Sequence, residues 1–306
     1  MRKLLTPILL LSLLLLSACG SSTAKPESSP NSNSAEPTTI TYQSENGPIE
    51  VPANPQRVVV LSSFAGNVMA LGVNLVGVDS WAKQNPRFEQ LKDVAEVSDE
   101  SLEKIIELDP DLIIGLSTIN NIDKLKEIAP TVTYTYGKVD YLTQHLEIGK
   151  LLNKEKEATA WVEDFKKRAA EAGEEIKAKI GADKTVSVIE NFNKQLYVYG
   201  NNWGRGTEIL YQEMKLNMPE KVKESALEPG YYALSTEVLP EYAGDYMILS
   251  KNSETDNSFQ DTETYKNIPA VKNNQVFEVN MNEFYFNDPL TLDFQLEFFK
   301  QAFLGN

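Results

Sequence analysis

The segment Tyr197-Val198-Tyr199-Gly200-Asn201-Asn202-Trp203-Gly204-Arg205-Gly206 gathers two phenols, an indole and a guanidinium into one glycine-rich stretch. Its three glycines let the backbone turn sharply. A guanidinium donates paired hydrogen bonds to clustered oxygens and stacks its flat face on rings. A large aromatic in such a loop has something to cover. The bland reading is a packing loop between lobes, with Trp203 buried and Arg205 paired to an acid; the residues alone leave the two readings even. A second cluster is Phe284-Tyr285-Phe286-Asn287-Asp288-Pro289. Three consecutive aromatics cannot all face one core, so at least one faces a cleft or solvent. Tyr136, Phe64 and Trp81 also follow apolar runs that read as strands. Singly, each is more often core than contact; their shared position after strands raises the group.

Other constellations are thin. His145, the chain's one histidine, falls in an expected helix after Tyr141 and reads as a surface or partly buried helix residue rather than a base or metal ligand. The common hydrolase and nucleotide-binding motifs are absent, so no catalytic residue is named. Cys19, the only cysteine, excludes disulfides and Cys-rich metal sites. It closes the run Arg2-Lys3, an apolar stretch to Leu16, then Ser17-Ala18-Cys19, the order of a secretory signal. The apolar stretch is shorter than the roughly 20 residues a membrane-spanning helix needs. There are 29 basic against 44 acidic residues, and 27 against 44 once Arg2 and Lys3 are removed. That balance argues against nucleic acid or an anionic bilayer as partner.

The elements that must position these residues alternate. After a tether rich in Ser, Pro and Asn, a hairpin is expected around Asn46-Gly47-Pro48. Arg57–Leu61, Val73–Val78, Leu112–Gly115 and Val132–Tyr136 read as buried strands separated by short helices, the pattern of a mainly parallel α/β sheet. Lys154 to Ile180 has apolar residues near a 3.6 period, giving one long helix of roughly 40 Å. Strands at Thr185–Ile189, Leu196–Tyr199, Tyr246–Leu249 and Val276–Val279 follow, with helices at Thr207–Met214 and Leu290–Phe303. A weak repeat sets Ser101-Leu102-Glu103 ten residues before Asp111, and Ser235-Thr236-Glu237 ten before Asp245. The expected organisation is a signal over 1–18, a tether over 19–40, an N-terminal lobe over 41–152, a linking helix over 153–181 and a C-terminal lobe over 182–306.

Several motifs resemble iron-siderophore-binding proteins: Cys19 in its lipobox-like setting, Pro55-Gln56-Arg57-Val58-Val59, Leu71-Gly72-Val73 and Pro110-Asp111-Leu112-Ile113-Ile114. Ile128-Ala129-Pro130-Thr131-Val132, Asn202-Trp203-Gly204-Arg205-Gly206, Tyr242-Ala243-Gly244-Asp245-Tyr246 and Asn287-Asp288-Pro289 narrow the likeness to the ferric hydroxamate (FhuD-type) lipoproteins of Gram-positive bacteria. The resemblance implies two α/β lobes of the class III periplasmic-binding-protein kind, joined by a single long helix around a shallow cleft. It implies a monomer without enzymatic activity or cofactor, lipidated at Cys19 and held at the cell membrane. Such a protein hands an Fe(III)-siderophore, whose own oxygens hold the iron, to an ABC transporter permease. The positions carried over are Tyr136, Tyr197, Trp203 and Arg205, with Tyr285 where relatives can have Trp; Phe64 and Trp81 join them by position. Glu103 and Glu237 match acids that dock on permease arginines, and otherwise read as acids favouring helix N-termini. The alternatives keep the fold with ferric citrate, a catecholate, haem or a corrinoid as ligand, or make the chain a surface enzyme or adhesin.

Overall fold

The computed structural model describes residues 38–305. The expected signal segment and Cys19 lie outside that range. β1 (Thr39–Ser44) and β2 (Gly47–Pro52) pair as an antiparallel hairpin, so strand structure begins inside the stretch expected as tether.

Two five-stranded sheets follow. The first has the order β5 (Ala95–Glu96), β4 (Leu75–Val78), β3 (Val58–Val60), β6 (Leu112–Leu116), β7 (Thr131–Tyr134), parallel throughout. Its strands are continuous apolar runs because both faces are covered. Val58, Val60, Leu112 and Ile114 enter one core cluster, while Val59 and Ile113 enter another. The second sheet has the order β10 (Tyr231–Leu234), β9 (Gln195–Tyr199), β8 (Val186–Phe192), β11 (Tyr246–Lys251), β12 (Val276–Asn280). Here β8, β11 and β12 are parallel, while β9 runs antiparallel to both of its neighbours, β8 and β10.

The repeat has a structural meaning. The Asp111 carboxylate accepts from the Gln56 and Arg57 backbone N–H groups at 2.6 and 3.0 Å, tying β6 to the start of β3. Asp245 accepts from the Thr185 N–H and hydroxyl, both at 2.9 Å, tying β11 to the start of β8.

The helix Glu155–Ile180 passes from one core to the other: Ala158 packs in the first lobe, and Phe165, Ala169, Ala172 and Ile176 in the second. Gly173 is required on it, since a Cβ there would meet the Met214 carbonyl oxygen at 2.4 Å. That helix links the two lobes as expected, and the last helix also packs across their junction. The last helix, Pro289–Leu304, is capped by Asp288 and begins with Leu290 against the first core, then places Leu292, Leu296, Phe299 and Phe303 in the second. Asp293 on it accepts from Trp161 Nε1 at 3.0 Å and Arg168 Nη2 at 2.6 Å on the long helix. Arg87 of the first lobe lies 3.3 Å from the Phe294 ring centroid. The two lobes therefore share two packed struts.

His145 sits under this junction and is 2% exposed, deeper than its sequence setting suggested. Its Nδ1 pairs with Asn67 Oδ1 at 3.1 Å, and its ring lies edge-on to Trp161 at 5.3 Å. Burial lowers its pKa to about 4. Above pH 6.5 the ring is neutral folded and unfolded. Below it the unfolded chain takes a proton that the folded chain refuses until about pH 4. Wild type should therefore lose about 3 kcal/mol between pH 7 and pH 4 relative to His145→Gln. Urea denaturation of the pair across that range checks this; parallel pH profiles would refute it.

Candidate functional site

Segments from both lobes meet between the sheets. From the first come Phe64 after β3, Trp81 after β4 and Tyr136 after β7. From the second come the Gly200–Gly206 loop and the 284–287 segment after β12. Most leave the carboxyl ends of parallel strands, where α/β proteins place ligands. The Gly200–Gly206 loop does not, because β9 runs against β8. It reaches the cleft by folding back over the sheet face, where the Arg205 N–H donates to the Phe284 carbonyl at 2.8 Å.

That face is built around one carboxylate. Glu190, on β8, is fully buried. Its Oε1 accepts from Arg205 Nη2 at 2.8 Å and the Tyr199 hydroxyl at 2.9 Å. Its Oε2 accepts from Arg205 Nε at 3.1 Å and the Ser250 hydroxyl at 2.7 Å. Arg205 Nη1 donates to the Trp203 carbonyl at 3.0 Å. Burial works against the Arg205 charge, but Glu190 more than offsets it and holds the guanidinium above its usual range. The guanidinium carbon lies 4.2 Å from the Tyr285 ring centroid and 4.7 Å from that of Tyr199. Arg205 has φ +59°, a left-handed conformation costing roughly 1–2 kcal/mol outside glycine, which the paired hydrogen bonds offset.

The three consecutive aromatics separate. Phe284 enters the second lobe's core and Phe286 the first lobe's. Tyr285, between them, faces the cleft and stacks on Trp81 at 4.6 Å. Trp81 also approaches Phe192, the end of β8, at 6.2 Å. Tyr136 and Trp203 pack at 5.3 Å across the cleft. Trp203 meets the edge of Tyr231 at 5.2 Å, and Tyr231 meets Tyr197 at 5.9 Å. Gly230 makes room for that indole, since a Cβ there would fall 1.5 Å from Trp203 Nε1. Trp81 and Tyr136 remain 38% and 46% exposed. Phe64 is different: it is buried against Tyr134 and offers the cleft only its edge.

Beside this aromatic row lies a cavity of about 370 Å³, bounded by Phe64 and Tyr136 on one side and by Asn201, Asn202, Glu208, Gln212 and Asn287 on the other. Trp81, Tyr197, Trp203, Arg205 and Tyr285 do not line it. The cleft thus has two parts, an aromatic row around the guanidinium and a polar hollow, with Tyr136 between them. Glu208 sits on a π-helical turn, Glu208–Glu213, where an ordinary helix was expected.

Sequence reasoning missed Glu190, Phe192, Tyr231 and Glu208. An acid within Val186-Ser187-Val188-Ile189-Glu190 was a visible signal, since a doubly covered strand has no solvent face for it. Glu103 and Glu237 both lie exposed on their lobes, away from these contacts. Among the described residues, no group of three or more His, Cys, Asp or Glu is placed to hold a metal ion.

The periplasmic binding protein family model matches residues 58–282. The chain is 37% identical over 295 residues to the iron(3+)-hydroxamate-binding protein FhuD of Bacillus subtilis, covering 94% of this chain and 93% of that protein. The FhuD protein from S. pseudintermedius superposes with a TM-score of 0.79 at 37% identity, over 88% of this chain and 99% of that one. FhuD2 from Staphylococcus aureus with bound ferrioxamine B gives 0.78 at 35% identity, over 82% and 99%.

Removing the Glu190 charge should leave Arg205 buried without a counter-ion. Glu190→Gln is expected to cost about 3 kcal/mol in urea denaturation, and Glu190→Gln/Arg205→Met to recover part of that loss. Additive losses would mean that the two side chains do not act as a unit.

Proposed function

The chain belongs to the periplasmic binding protein family, and we propose that it captures an iron(III)-hydroxamate siderophore between its lobes and delivers it to the permease of an ABC importer. The observation that carries this reading is a ring of aromatics from both lobes around a guanidinium already neutralised by Glu190. A trihydroxamate supplies six oxygens, and its three negative charges cancel those of Fe(III). Such a complex needs apolar walls, phenols and a few N–H donors, not excess positive charge. The remaining Arg205 N–H groups, beyond those given to Glu190 and Trp203, are the donors suited to the hydroxamate oxygens. Tyr136, Tyr197, Trp203 and Tyr285 are its walls, with Trp81 above and Phe64 at the margin. A tricatecholate, at about three negative charges, would need several free cations. The cleft's other cation, Lys138, pairs with Glu45 at 3.2 Å. The alternative ligands and the enzyme or adhesin readings gain nothing from this arrangement.

In this reading Cys19 carries the lipid that keeps the receptor at the outer face of the cell membrane. Glu103 and Glu237, one exposed on each lobe, are the contacts offered to the permease.

Ferrioxamine B should quench the protein's tryptophan fluorescence with a Kd below about 1 μM. Tyr136→Ala and Trp203→Ala should each weaken binding about tenfold. Quenching by ferric citrate or a ferric catecholate but by no ferric hydroxamate would overturn the assignment. Glu103→Ala/Glu237→Ala should bind the chelate like wild type and lose uptake in cells; unimpaired uptake would remove the docking role.

A further inference from the structure

Glu208 has a chemistry that the aromatic row does not use. It is 1% exposed and lines the polar hollow. Its Oε1 accepts from the Gly204 N–H and from Asn287 Nδ2, both at 2.9 Å, and its Oε2 from the Thr207 hydroxyl at 3.1 Å. All three donors are neutral. Burial raises its pKa, those hydrogen bonds oppose the rise, and among the described residues no Lys or Arg pairs with it. The other charged groups facing the hollow are Asp140, whose carboxylate caps the helix Tyr141–Leu151, and Lys138, held by Glu45. The hollow is thus acidic on balance, with a buried carboxylate that lacks a counter-ion.

Six of the other residues lining the hollow are primary amides. Asn67, Gln144, Asn201, Asn202, Gln212 and Asn287 all border it. Gln144 Nε2 is buried there without a hydrogen-bond partner. Each carboxamide carries an oxygen that can accept from an ammonium. At about 370 Å³ the hollow can hold an extended arm, though not a second ferric centre.

Building on the siderophore reading, we propose that this hollow seats an arm of the chelate ending in an ammonium, with Glu208 as the carboxylate that recognises the charge. The aromatic row then holds the neutral iron core, and Tyr136 marks the point where the arm leaves it. The ligand class becomes narrower: linear, amine-terminated ferric trihydroxamates are preferred over forms whose amine is capped.

The test compares ferrioxamine B, whose free arm is a pentyl chain ending in a primary amine, with its N-acetyl derivative, whose arm ends in a neutral amide instead. Wild type should bind the amine form about tenfold more tightly, by fluorescence quenching or calorimetry. Glu208→Gln should bring that ratio to about one, whatever it does to absolute affinity. Should that variant fold poorly, Gln212→Lys, which introduces a competing ammonium, should also lower the ratio. Equal binding of the two chelates by wild type would overturn the inference while leaving the siderophore reading intact, as would an unchanged ratio in both variants. Binding of neither chelate would instead refute the siderophore reading, and this inference with it.

Discussion

The Glu190 carboxylate is the constraint on which the cleft depends. Taking one carboxylate out of water costs several kcal/mol unless its oxygens are filled. Here Arg205, Tyr199 and Ser250 fill them, from a loop and two neighbouring strands. The anchored guanidinium fixes a left-handed turn and stands beside two rings, one of them Tyr285. Tyr285 lies between Phe284 and Phe286, which are locked into opposite cores. One buried charge therefore sets the position of a ring whose chain neighbours set the lobes. A hydrophobic replacement of the pair could be as stable, but it would offer no N–H groups to the cleft.

Pairing also sets the electrostatic character of the site. An unpaired Arg205 would make the cleft a sink for any anion. With Glu190 beneath it, the guanidinium offers direction with little net charge, which favours a neutral complex over the free anions of an acidic or basic medium. The second strut serves the same geometry. Trp81 and Tyr285 face each other from different lobes, and a loose hinge would scatter them. The Arg168–Asp293–Trp161 contacts tie together the two helices that span the lobes.

Much of this was legible in the sequence because it rests on local pattern. Apolar runs such as Val58–Val60 can only be doubly covered strands here, and the 3.6 period of Ala158, Phe165, Ala169 and Ile176 can only be a packed helix. That at least one of Phe284, Tyr285 and Phe286 leaves the core followed from their being consecutive; that the two phenylalanines enter opposite cores did not. What escaped depends on partners distant in the chain. β9 was expected as a strand, but its direction against β8 is fixed by the short Asn193-Lys194 turn and by pairing with β10, which carries Tyr231. Glu190 stands out as an acid in a covered strand, but its partner is not identifiable until Arg205 is placed over it. The π turn at Glu208–Glu213 has the same apolar positions as an α-helix, so local pattern does not separate the two windings; it packs against the long helix and the last helix.

The repeat shows how such a signal divides once atoms are placed. Its two Asp residues, Asp111 and Asp245, hold the first N–H groups of the strand beside them, and this fixes where each Asp-led strand must start. The spacing between the Ser-x-Glu segment and its Asp is then the length of a short helix and turn leading into an anchored strand. That explanation accounts for the periodicity without reference to any partner. It does not account for Glu103 and Glu237, which anchor no neighbouring strand and lie open to solvent on both lobes. The Asp positions are explained by folding, and the exposed pair of glutamates is what folding leaves unexplained.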